Sequence, residues 1–148
     1  MKRNLKAAAL ALLLATPAHA EGPVTTMVTG AFDDVQFDIE TAITDAGLVI
    51  DAVNHVGDML ERTREDVGGE VVLFTHAQVF NFCSAVVSRQ VMEADPMNLQ
   101  HCPYAIFVAE RPEAPGEIIV GRRAYPAGAM DVVGDLLDGI ISDALSGY

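Results

Sequence analysis

Five short runs of β-branched and apolar residues, at 24–29, 48–53, 78–83, 104–109 and 118–122, alternate with segments whose apolar residues recur every three to four positions. A sheet with helices laid on it is the arrangement that accommodates both rhythms, because side chains alternate faces along a strand but gather on one stripe of a helix. Val24 to Thr29 reads as the first strand. A helix capped by Asp33 or Asp34 follows, with Val35, Ile39, Ala42, Ile43 and Ala46 on one side and Gly47 as its stop. Leu48 to Val53 is a second strand, and Val56, Met59, Leu60 and Thr63 mark a shorter helix ended by Gly68-Gly69.

Val71 to Phe74 suits a short strand or an extended lead-in to the strand Gln78 to Cys83. Ala85 to Ala94 is a third helix, closed by Asp95-Pro96, since the residue before proline is pushed out of the helical region. Tyr104 to Ala109 and Ile118 to Arg122 form a hairpin across the turn-rich ERPEAPGE. The clearest apolar stripe, from Met130 through Val133, Leu137, Ile140 and Ile141 to Leu145, is a terminal amphipathic helix that Gly134 and Gly139 weaken by about 1 kcal/mol each relative to alanine. The order predicts an α+β two-layer sandwich, a mixed or antiparallel sheet covered by helices. A doubly wound nucleotide-binding fold is disfavoured, because Gly30 stands alone where a phosphate loop needs several glycines.

The first twenty residues read as a secretory signal peptide. Lys2, Arg3 and Lys6 precede the apolar run AAALALLLA, and Ala18-His19-Ala20 is a small-x-small cleavage signal. The run is too short to cross a bilayer, which takes about 20 residues. The reading is a periplasmic or secreted protein whose residues 21–148 make a single domain. The full chain carries 21 acidic against 9 basic residues, a formal charge of −12. Three of the basic residues fall in the leader, which leaves six arginines and no lysine. Such a surface repels phosphate backbones and anionic lipid, so no nucleic acid and no membrane insertion are expected, and a protein partner or a cation fits better.

Several layout features point to a family. They are a helix ending in glycine before a strand, His55 at the start of the second helix, the Met92-x-x-Asp95-Pro96 helix end, and Pro103 opening the next strand. On these the segment from residue 32 to residue 124 resembles the bacterial and archaeal family catalogued as the domain of unknown function three-hundred-and-two. The resemblance implies a two-layer α/β module that tends to pair as a homodimer and has no settled chemistry. In commoner members the strand before the third helix ends in an Asn-Pro turn. This chain has Phe82-Cys83-Ser84 there and adds His101-Cys102 before Pro103.

The two cysteines, one at a strand's end and one at the next strand's start with the third helix between them as a crossover, are the most informative residues. In an oxidising compartment an even pair so placed is a disulfide candidate. A second reading makes Cys83, Cys102, His101, His55, Met92 and Met97 ligands of copper or haem, since thiolate, thioether and imidazole suit Cu(I) and can bind haem iron axially. His76 is a further histidine that could join them. A third is thiol-disulfide or sulfur-transfer chemistry, which needs an exposed thiolate of low pKa. Glu93 and Asp95 near His101 lack an accompanying nucleophile motif, no catalytic residue is assigned, and the reading leans away from an enzyme. Arg122 and Arg123 are expected to pair with acidic neighbours or to meet a ligand carboxylate.

Overall fold

The strand that begins the fold lies beside the one that ends the sheet. The computed structural model describes residues 22–148, so the leader read at residues 1–20 lies outside the described residues. In chain order the elements are β1 (Val24–Thr29), α1 (Phe32–Asp45), β2 (Val49–Asn54), α2 (Val56–Thr63), β3 (His76–Cys83) and α3 (Ala85–Ala94). A 3-10 helix (Pro96–His101), β4 (Tyr104–Glu110), β5 (Glu117–Arg122) and α4 (Asp131–Ala144) complete it. The strand order is β1-β5-β4-β3-β2, and every neighbouring pair is antiparallel. The fold is therefore α+β with two layers, and the choice left open between a mixed and an antiparallel sheet resolves to antiparallel throughout.

Period two sorts the strand side chains. Phe80, Phe82, Ile106, Val108, Ile118 and Val120 are buried on the side that α1 and α4 cover, against Val35, Ile39 and Ile43 of the first helix and Val133, Leu137 and Ile140 of the last. Each such side chain contributes about 1.5–3 kcal/mol on burial. Residues one step out of phase, among them Met27, Val79, Phe107 and Ile119, sit on the sheet's other face. Gly121 is forced there: a Cβ would lie 2.6 Å from Phe107 Cζ and 2.7 Å from the Val24 carbonyl oxygen. At the turn between β4 and β5, Gly116 has φ 80° and its N–H donates to Glu110 Oε1 at 2.7 Å.

Two readings change. Val71 to Phe74 is neither helix nor strand, and Val71, Val72 and Leu73 are exposed. The segment carrying α3 is not a crossover, because β3 and β4 are antiparallel neighbours and the chain returns to the end of the sheet it left. Among the described residues no helix is long and apolar enough to cross a membrane.

Candidate functional site at the Cys83–Cys102 corner

Strand register brings the cysteines together. Phe82 stands opposite Tyr104, so the residue leaving β3 and those approaching β4 are neighbours whatever path joins them. That path is held by local hydrogen bonds. Ser84 caps α3, its Oγ accepting from the Val87 N–H at 3.3 Å. Asp95 ends α3 and caps the 3-10 helix, its Oδ1 accepting from the Met97 N–H at 2.9 Å. Asn98 Nδ2 donates to the Val91 carbonyl at 2.9 Å, which folds the 3-10 helix back onto α3. The Cys102 N–H then donates to the Leu99 carbonyl at 3.1 Å, and the Cys102–Pro103 peptide bond is cis.

The sulfurs of Cys83 and Cys102 are 2.7 Å apart, both half-buried thiols. A disulfide bond is about 2.05 Å long, so only a small approach separates the two from bonding distance. Burial first, and then the contact with Cys102, push the Cys83 thiol up to about 11, while a backbone hydrogen bond from Tyr104 pulls the other way. A thiol so placed is the reverse of an activated nucleophile, which needs a lowered pKa.

Aromatic rings stand beside the pair. His101 meets Tyr125 edge-on with centroids 5.6 Å apart, and Tyr125 meets Tyr104 edge-on at 6.3 Å. Ser88 Oγ donates to the Tyr104 hydroxyl at 3.1 Å, and burial pushes both phenols up. The Tyr125 hydroxyl is enclosed without a hydrogen-bond partner among the described residues. Sequence reasoning had placed Tyr104 in the core and passed over Tyr125, which follows β5 and reaches the corner only through the fold.

The remaining candidates scatter. Val49 pairs with Cys83 and Asn54 with Val79, so His55 sits at the far end of β2, about 17 Å along the strand from the cysteines. Met92 packs partly buried against the core, and Met97 is exposed on the 3-10 helix. His76, at the far end of β3, stacks on Phe32 with centroids 4.9 Å apart. Among the described residues no group of three or more His, Cys, Asp or Glu side chains is placed to hold a metal ion. Glu93 pairs with Arg89 and Asp95 is spent as a cap, so neither serves His101 as an acid-base partner. Arg122 pairs with Asp138, while grooves of about 490 and about 550 Å³ lie elsewhere, at the end of α1 and along β1.

The fold belongs to a class of two-layer α+β sheets with helices on one side. It is similar to the crystal structure of the uncharacterized conserved protein DUF302 from Bacillus stearothermophilus, with a TM-score of 0.57 over 82% of this chain and 88% of that one. At 14% sequence identity the likeness is one of fold. It agrees with the architecture that the family resemblance implied. No family model matches the chain, and no curated protein matches it.

Proposed function

We propose that this protein is an exported binding or accessory module, stapled by a Cys83–Cys102 disulfide, which works by presenting its surface to a protein partner. The observation that carries this reading is the 2.7 Å separation of the two sulfurs at a half-buried corner. The raised Cys83 thiol supports a bridge over a reactive thiolate, and the distance of His55 from the pair weakens a ligand set centred there. In forming the bond the two thiols give up two protons and two electrons to an oxidised protein disulfide of the export compartment, which leaves as a dithiol. Closing a segment of 19 residues stabilises the fold by about 3 kcal/mol.

The mass of the mature protein taken from its own compartment, before and after reduction, tests this. The expected result is a chain starting near Glu21, no retained group, and a gain of about 2 Da on reduction, the two hydrogens of the reduced pair. Two free thiols in the protein as isolated would overturn the staple. Retained copper or haem would transfer the assignment to His101, Cys102 and Cys83 as ligands. A mixed disulfide with a small thiol on either cysteine would point to exchange chemistry.

A further inference from the structure

We propose that the free edge of β1 is the surface through which two copies of this chain pair, strand to strand, into a continuous ten-stranded sheet. One side of β1 is bonded to β5 in an unbroken register from Val24 opposite Arg122 to Thr29 opposite Glu117. Among the described residues nothing pairs its other side, so alternate N–H and C=O groups face outward.

The two edges of the sheet are built differently. At β2 the register breaks between Ile50 and Ala52, with Asp51 at the irregularity. A bulge and a charge are devices that discourage edge pairing. β1, with the sequence VTTMVT, has no bulge, charge or proline, and Met27 is 68% exposed. In a chain of formal charge −12, an uncharged strand is where two like-charged molecules meet at least electrostatic cost.

The strand is also complementary to itself. An antiparallel pair centred on Thr26 sets Val24 against Val28 and Thr25 against Met27 of the other copy, with about four to six backbone hydrogen bonds. A strand pair alone falls short of the roughly 1,000 Å² that a specific interface needs. The groove of about 550 Å³ between β1 and α4, walled by Val24, Thr26, Ile141, Ser142 and Leu145, supplies the rest. A twofold axis normal to the sheet keeps the helix-covered sides together, so Val24 and Val28 of one copy enter the groove of the other and the second α4 closes it.

The pairing deepens the binding-module reading but stands on the β1 edge alone, and its test reads quantities that the state of the cysteines does not move. Sedimentation at rising concentration is compared for the unmodified protein, Thr26→Glu, and Ala52→Glu on the opposite edge. The expected result is a doubled mass for the unmodified protein and Ala52→Glu, and a single-chain mass for Thr26→Glu with an unchanged circular dichroism spectrum. Backbone amides of β1 that do not face β5 should exchange hydrogen more slowly as concentration rises, a readout that stands even where Thr26→Glu fails to fold. A single-chain mass at every concentration, a dimer that survives Thr26→Glu, or β1 amides whose exchange ignores concentration would each overturn the proposal.

Discussion

Arg122 and Asp138 form a two-pronged ion pair, Nε to Oδ1 and Nη2 to Oδ2 each at 2.6 Å, that ties β5 to α4. The arginine side chain is 9% exposed and the aspartate 51%. Asp138→Asn therefore leaves a buried guanidinium short of its acceptor, while solvent screens part of what is lost. The expected cost is about 1–2 kcal/mol in urea unfolding. The Arg122 hydrogen bonds hold the Asp138 carboxyl below its usual range, so this stability is present above the ordinary aspartate pKa and fades as pH falls through the lower folded value. Acid titrations of the parent and Asp138→Asn should converge at the bottom of that window.

The two α4 glycines should respond to alanine in opposite ways. A Cβ on Gly139 meets nothing within 4 Å, so Gly139→Ala is expected to stabilise by about 0.8–1 kcal/mol, the helix-propensity difference. At Gly134 the same carbon would stand 3.2 Å from Arg122 Nη2, and the paired guanidinium has to shift. Gly134→Ala should gain nothing or lose stability, and thermal melts of the two variants side by side will show the contrast.

Gly121→Ala should destabilise by about 1–3 kcal/mol, because its methyl has no room between Phe107 and the backbone of β1. Hydrogen exchange should place the damage at β1 and β5 and leave the β2–β3 pair protected.

In the reduced protein the raised Cys83 thiol makes folding sensitive to alkali. The folded state holds that proton longer than the unfolded chain does. Its contribution is thus complete below the ordinary thiol value of 9.0 and disappears as pH climbs through about 11. Denaturant midpoints of the reduced protein should fall across that interval, and those of Cys83→Ser should fall less.

Local chemistry made the helix ends legible from sequence. The bounds of α3, Ala85–Ala94, follow from Ser84 as cap and Asp95-Pro96 as stop, and the structure keeps both. Strand ends were less plain. β3 begins at His76 rather than Gln78 because its pairing with β4 continues to Glu110, beyond the alternating pattern. The 3-10 helix was missed, since six residues opened by proline carry no apolar stripe. Strand direction was also hidden, because helices between strands suit parallel and antiparallel neighbours alike.

At the corner site the chain order suggested that Cys83 and Cys102 meet, and the register of β3 on β4 supplies the distance. The placement of His55 depended on the register of β2 on β3, which the residues themselves do not spell out. Tyr125 was invisible for the same reason: its neighbours His101 and Tyr104 are more than twenty positions away in sequence.

The partnership of β1 with β5 also sets a timetable for synthesis. On the ribosome the first strand has no neighbour until Glu117–Arg122 emerges, nearly a hundred residues later, although β2, β3 and β4 can already join by their own contacts. Such distant pairing slows folding. A polypeptide interrupted before β5 would keep a three-stranded remnant with two bare flanks and a stranded leading segment, so the last fifth of the message decides whether the first strand is folded at all.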